Sequence, residues 1–191
     1  MSEPILVVNK LKKSYAGKTA VAGISFEVQK GEIFGILGPN GAGKTTTLEM
    51  IETMREIDGG TIVLDGINVA EDPQAIKKII GVQPQSPAFQ DKQKLVEIIE
   101  MFAAAYGEKV HPKKFLQDVQ LGDKANSYVE DLSGGQKQRM SIATALVHNP
   151  TVFFLDEPTT GLDPQARRNL WSLIEDVRKK GVTVIMTTHY M

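Results

Sequence analysis

Of the 191 residues, the stretch GPNGAGKTT, from Gly38 to Thr46, limits the possible folds most. It places three glycines within six residues, then a lysine and three hydroxyls if Thr47 is counted, directly after the apolar run IFGIL. Glycine frees the backbone to curl, so several N–H groups can point into one concavity. The preceding run, residues 33–37, has no polar alternation and predicts a strand covered on both faces. The following segment, Lys44 to about Glu56, reads as a helix whose positive end faces the loop. A strand before and a helix after are the setting in which G-x-x-x-x-G-K-[ST] binds phosphate, here Gly38, Gly43, Lys44 and Thr45. A phosphate chain fits that concavity. Lys44 is expected to reach its outer phosphates and Thr45 to ligate Mg²⁺.

The remaining pattern alternates strands and helices. Residues 5 to about 33 read as strands, and in ISFEVQKGE the residues Ile24, Phe26 and Val28 are expected on one buried face. TIVLDG returns to strand and ends in an Asp-Gly turn. The middle third looks helical. Leu95, Ile98, Ile99, Phe102 and Tyr106 recur at helical spacing, a shorter helix follows Pro112, and a third starts near Ser133. TVFFL and VTVIMTT read as buried strands. Between them Asp163 is placed to cap a helix with Pro164 at its first position, and Gly181 ends it. Strand–helix alternation of this kind argues an α/β fold with a parallel sheet, its ligand at the carboxyl ends of the strands.

Composition narrows the partners. A formal net charge of -1 supplies no basic field for nucleic acid or anionic lipid. With no cysteine there is no disulfide, thiolate metal site or cysteine nucleophile. The N-terminus lacks the pattern of a signal peptide, and no segment approaches the ~20 apolar residues of a membrane helix. A cytoplasmic chain is expected, touching a membrane only through a partner. His111 and His148 are expected at the surface.

Two further motifs sit at strand or helix ends. In VFFLDE, Asp156 ends a strand and can reach the Mg²⁺ held by Thr45, while Glu157 can polarise an attacking water. In LSGGQKQR, Ser133 is a good N-cap, and Gly134 and Gly135 free the backbone around a second helix start. That makes a second anion nest without its own lysine. Ninety residues from the first, it is expected to meet a nucleotide held by another copy, across a two-fold, head-to-tail dimer.

Together these residues resemble the nucleotide-binding subunit of an ATP-binding cassette (ABC) transporter, over nearly the whole chain. The wording is most similar to bacterial drug-, polysaccharide- or ABC-2-type exporters. The resemblance implies a P-loop NTPase with a RecA-like parallel sheet, an N-terminal antiparallel β subdomain and an inserted helical subdomain. It divides one domain, 1–191, into a nucleotide-binding core (about 1–85 and 141–191) and a helical part (about 86–140). Gly38, Pro39, Asn40, Gly41, Ala42, Gly43, Lys44, Thr45 and Thr46 then form the Walker A loop, and Asp156 the Walker B aspartate. Tyr15 stacks on adenine, Gln85 is the Q-loop glutamine with Gln83 as its neighbouring competitor, and Leu132 to Gln136 are the signature. Glu157 is the catalytic glutamate, Asp163 the D-loop aspartate and His189 the switch histidine. Members usually continue with more strands beyond that histidine, so the end of the domain is expected to be missing and a sheet edge uncovered.

The function implied is an ATPase, using ATP and Mg²⁺, that powers a transmembrane permease, in the sense of export, from the inner face of the cell membrane. Lys44, Glu157 and His189 are its catalytic residues, Thr45, Gln85 and Asp156 its metal ligands. Ser133, Gly134, Gly135, Gln136 and Asp163 come from a second nucleotide-binding subunit, identical or paralogous. Three rivals stand beside it. They are a soluble ABC ATPase of translation or DNA repair, a nucleotide-sensing module without turnover, and a P-loop kinase.

Overall fold

The computed structural model describes residues 3–83 and 89–188, and Gln85 and His189 lie outside them. Two four-stranded sheets organise the chain. The first is antiparallel. Strands β1 (Pro4–Tyr15) and β2 (Lys18–Gln29) form a long hairpin, and β1 also pairs with β4 (Gly59–Leu64). A short β5 (Ile67–Asn68) returns through the Asp65–Gly66 turn, where both residues have positive φ, 48° and 78°. That is the twist an Asp-Gly hairpin turn provides.

The second sheet is parallel, in the order β3 (Ile33–Leu37), β8 (Thr183–Thr188), β7 (Val152–Leu155), β6 (Ile80–Gln83). Residues of β7 and β8 alternate between two cores, as period-two side chains must. Val152, Phe154 and Ile185 pack with the antiparallel sheet, with helix α1 (Lys44–Ile51) and with Ile76 of α2 (Pro73–Ile79). Phe153, Leu155, Val184 and Met186 face the opposite way. There they meet α3 (Leu95–Ala105), α4 (Pro112–Asp118), α5 (Gly134–Leu146) and α6 (Pro164–Lys179). The expected apolar stripe of α6 is the buried one: Leu170, Leu173, Ile174 and Val177.

Four expectations change. IFGIL is not covered on both faces: its residues are partly or fully exposed, and Leu37 is 56% accessible. Among the described residues β3 pairs only with β8, so it is an edge strand and lacks a neighbour on its other side. Ile24 is likewise exposed, while Val28 is buried. Helix α1 stops at Ile51 rather than near Glu56, because Thr53 turns the chain through a φ of 64°. His148 is half-buried rather than freely exposed. Its ring lies 4.0 Å from that of Tyr106 in a parallel stack, its Nε2 is 2.9 Å from the Ile80 carbonyl oxygen, and its Nδ1 is buried. Burial pushes its pKa down. Helix α2 and strand β6 are additional to the expected elements; Asp72 caps α2 by accepting from the Ala75 N–H at 2.9 Å, and Pro73 opens it.

Candidate nucleotide site

The site gathers at the carboxyl ends of β3, β7 and β8. The loop after β3 delivers its chain into α1 through Gly43, which sits at φ 86° as the N-cap. A Cβ built there would lie 2.3 Å from the Ala20 carbonyl oxygen of β2. Gly41 has φ 80° but open space around it. So one glycine is required by conformation alone, the other by conformation and by the backbone of β2. No side chain caps α1 and no acidic residue occupies its first turn, so its first N–H groups face the loop without a competing carboxylate.

Lys44 is 6% exposed and turns back over this loop. Its Nζ donates to the Gly38 and Pro39 carbonyl oxygens at 2.9 and 3.1 Å, and stands 3.9 Å from Glu157 Oε1. Glu157, Lys44, Thr45, Thr46, Asn40, Gly41, Gly43 and Tyr15 line one open cleft of about 230 Å³. Thr45 Oγ1 donates to Asp156 Oδ2 at 3.1 Å. A hydroxyl beside a carboxylate at the foot of a phosphate cradle is a donor set that suits Mg²⁺, which takes one or two protein oxygens together with phosphate and water. Ala42 spaces the loop beneath Gly38, where an added Cβ would meet its own at 3.2 Å.

One functional residue escaped the sequence reading. Thr187, fully buried on β8, donates through Oγ1 to Asp156 Oδ1 at 2.5 Å and accepts the Glu157 N–H at 2.9 Å. A single hydroxyl therefore holds the Asp156 carboxylate and the Glu157 backbone. Glu157 needs that hold, since its φ of 48° is a left-handed conformation that a non-glycine residue adopts at a cost of about 1–2 kcal/mol. The signal was available in VTVIMTT, where two hydroxyls, Thr187 and Thr188, follow the apolar Val184, Ile185 and Met186 at the carboxyl end of the strand. Gln138 adds a brace from the signature helix, its Nε2 donating to the Pro158 carbonyl oxygen at 3.0 Å.

Tyr15 sits at the end of β1 with 39% of its surface open. The Arg55 guanidinium and the Lys13 ammonium lie 5.5 and 5.6 Å from its ring centre. Arg55 is paired with Glu49, and Lys13 with Asp58 at 2.7 Å. The ring is thus anchored by cations that are themselves anchored.

The signature residues lie in a different cleft, of about 320 Å³, which shares no lining residue with the first. Ser133 caps α5 in a capping box. Its Oγ accepts the Gln136 N–H at 3.3 Å, and Gln136 Oε1 accepts the Ser133 N–H at 2.9 Å. Gly134 has open space, whereas a Cβ on Gly135 would stand 3.0 Å from that of Ala166 on α6. Asp163 joins this cleft from the N-cap of α6, accepting from the Gln165 and Ala166 N–H groups at 2.8 and 2.9 Å. The Ala166 and Gln165 N–H groups hold its carboxyl below the ordinary 3.8. A lowered carboxyl pKa contributes stability that is present above its unfolded value and is lost as pH falls through the folded one. Asp163→Ala should therefore lower Tm most at neutral pH, and the gap from the parent should close as melts are repeated down the acid range. An equal gap at every pH would show that the cap is not electrostatic. Gln83 is buried at the end of β6.

A family model described as ABC transporter matches residues 21–160. A Nod factor export ATP-binding protein I from Paraburkholderia xenovorans is 43% identical, aligned over 100% of this chain and 64% of its own length. A linearmycin resistance ATP-binding protein from Bacillus subtilis is 39% identical, over 98% of this chain and 62% of its own. The chain thus spans somewhat under two thirds of these relatives. An ATP-binding cassette of an ABC transporter, solved in an ADP conformation, superposes with a TM-score of 0.90 over 100% of this chain and 83% of that one, at 24% identity. A subunit of a transporter complex from Clostridium perfringens gives 0.85 at 28% identity, over 99% and 80%. The family model covers well over half of the chain, and the chain belongs to the ABC transporter family.

Proposed function

We propose that the protein is the ATP-binding and ATP-hydrolysing subunit of an exporter, working at the inner face of the cell membrane through a transmembrane permease. The observation that carries this is the convergence of Lys44, Thr45, Asp156 and Glu157 at the strand ends, held by the Thr187 hydroxyl. The relatives named for Nod factor export and linearmycin resistance support the export reading. No helix among the described residues is long and apolar enough to cross a membrane.

In this reading the loop N–H groups and Lys44 hold the phosphates, and Lys44 exchanges its carbonyl partners for phosphate oxygens. Thr45 and Asp156 would hold Mg²⁺, which supplies charge neutralisation between the outer phosphates. Tyr15 offers its open face to the base. Glu157 accepts a proton from the attacking water. Gln85 and His189 lie outside the described residues, and their roles rest on the resemblance. Ser133, Gly134, Gly135, Gln136 and Asp163 complete the site of a second copy; in support, the cleft lined by Ser133, Gly135 and Asp163 shares no residue with the phosphate cleft of the same chain. This division into a nucleotide core and a helical part that carries the signature makes closure depend on the triphosphate.

Mixing two inactive variants tests this. Lys44→Ala spoils every phosphate loop and Ser133→Arg every signature. In a head-to-tail pair, one of the two sites of a mixed dimer keeps both intact halves. Phosphate release with Mg²⁺ and ATP should be negligible for either variant alone and recover to a quarter or so of wild type on mixing, by the statistics of pairing. Failure to recover, with both variants folded, would remove the shared-site reading. A wild type that releases no phosphate would favour a nucleotide-sensing module.

A further inference from the structure

Gln138 stands on the second turn of α5, beyond the Ser133 capping box. Its Nε2 donates to the Pro158 carbonyl oxygen at 3.0 Å, across 20 positions of sequence. Pro158 is buried and directly follows Glu157. A proline has no N–H, so its carbonyl is the only hydrogen-bonding group it has. Among the described residues that oxygen accepts no other hydrogen bond. A buried carbonyl without a donor is costly, so the Gln138 amide fixes where the Pro158 peptide lies. Glu157, just before it, occupies a left-handed conformation with φ 48°. Its turn is pinned at three points: Thr187 of β8 accepts the Glu157 N–H at 2.9 Å, the Thr160 N–H donates to the Glu157 carbonyl oxygen at 3.1 Å, and Gln138 holds the next carbonyl from α5. The Glu157 side chain lines the phosphate cleft, whereas Gln138 lines neither that cleft nor the one at Ser133. Loss of Gln138 therefore removes no group that faces nucleotide.

We propose that Gln138 is a positioning residue for hydrolysis: it fixes the peptide after Glu157 and so aims the carboxylate of its own chain at the attacking water. The inference rests on the reading of Glu157 as the base and deepens it. Misplacing a reacting group by about 1 Å costs on the order of 10²-fold in rate, and a loss of this kind lowers kcat without weakening ground-state binding. The effect has a direction within a dimer. In the two-copy reading, α5 presents Ser133 to the nucleotide of the other copy, yet Gln138 serves the base of its own. A lesion at Gln138 should be felt in the subunit whose phosphate loop and base do the work, and not in the subunit that lends the signature.

Gln138→Met keeps the length and helix propensity of the side chain and removes the donor. In the otherwise wild-type chain, kcat for phosphate release should fall at least about tenfold, while KM for ATP and the affinity for a fluorescent ATP analogue stay within about twofold. Gln138→Lys, which puts a donor back at the end of an unbranched stem, should recover to within about threefold of wild type. The mixture of Lys44→Ala and Ser133→Arg chains then gives the direction. Its intact site joins the phosphate loop and base of the Ser133→Arg chain to the signature of the Lys44→Ala chain. Gln138→Met added to the Ser133→Arg chain should cut phosphate release of the mixture at least about tenfold; added to the Lys44→Ala chain, it should leave release within about twofold. Equal losses in the two mixtures would make Gln138 a general support of α5, and a loss confined to the Lys44→Ala chain would assign it to the signature. Either result overturns the proposal, as does undiminished kcat in Gln138→Met or no recovery in Gln138→Lys. Failure of the parental mixture to regain activity would strike the two-copy reading and leave the kcat and rescue measurements to decide this one. Undiminished turnover of Glu157→Gln would strike the base reading itself, so the failures are separable.

Discussion

Glu157→Gln should abolish turnover and leave nucleotide binding in place. The amide keeps the shape of the side chain and the backbone N–H that Thr187 accepts, so the left-handed turn after Asp156 survives. What disappears is the basic oxygen able to take a proton from water. Loss of a positioned general base lowers rates about 10²–10⁴-fold, and phosphate release should fall within that range. The phosphate cradle, made of loop N–H groups and Lys44, keeps all its donors and loses only the 3.9 Å pairing of Lys44 with Glu157, so titration with a fluorescent ATP analogue should give an affinity within a few-fold of wild type. Because the closed pair then holds unhydrolysed ATP, light scattering with Mg²⁺ and ATP should show a stable dimer, and dilution without nucleotide should dissolve it. Undiminished turnover would take the base role from Glu157. A monomer at every ATP concentration would remove the two-copy site instead.

Gly43→Ala should be nearly as damaging by a different route. The methyl group must adopt a φ of 86° and would stand 2.3 Å from the Ala20 carbonyl oxygen. The first demand costs about 1–2 kcal/mol, and overpacking against immovable backbone about 1–3 kcal/mol more. The helix start can escape only by moving away from β2, which carries the loop N–H groups with it. Denaturant melts should therefore show a loss of roughly 2–5 kcal/mol, and nucleotide affinity should drop more than about tenfold. Gly41→Ala is the internal control, since its φ is 80° but nothing lies within 4 Å of the added methyl. It should lose only the conformational part. Equal losses in the two variants would show that contact with β2 does not position the loop.

Much of this was legible from local pattern. The loop's spacing, the Asp163–Pro164 helix start, the Asp-Gly hairpin and the apolar stripe of α6 each depend on residues a few positions apart, and each stands where expected. A parallel sheet followed from the alternation of strands and helices, whereas its order, β3, β8, β7, β6, is set by tertiary packing. The acids' juxtaposition was less accessible. Thr45 and Asp156 are 111 residues apart, and their hydrogen bond depends on how α1 seats against the end of β7. Thr187 was missed because a threonine in a β-rich run ordinarily signifies strand propensity. Only the pairing of β8 with β7 turns its hydroxyl into a bridge between Asp156 and Glu157.

Burial misled where it depended on neighbours in space. IFGIL has the composition of a central strand but stands at an edge among the described residues, because composition records what could be covered and not what covers it. Glu52 shows the converse, a charged residue near a helix end that the meeting of core and helical part closes over. The chain's own wording thus determined a phosphate loop, an acid pair and two capped helices, since turns, caps and periodicity are decided by backbone sterics and hydrogen bonds within a few residues. Tertiary structure alone decided that a buried threonine touches the Asp156 carboxylate and the Glu157 backbone, that Ser133 and Asp163 share a cleft apart from Lys44, and that Glu52 is buried, because dielectric environment and hydrogen-bond reach are properties of packed neighbours rather than of sequence distance.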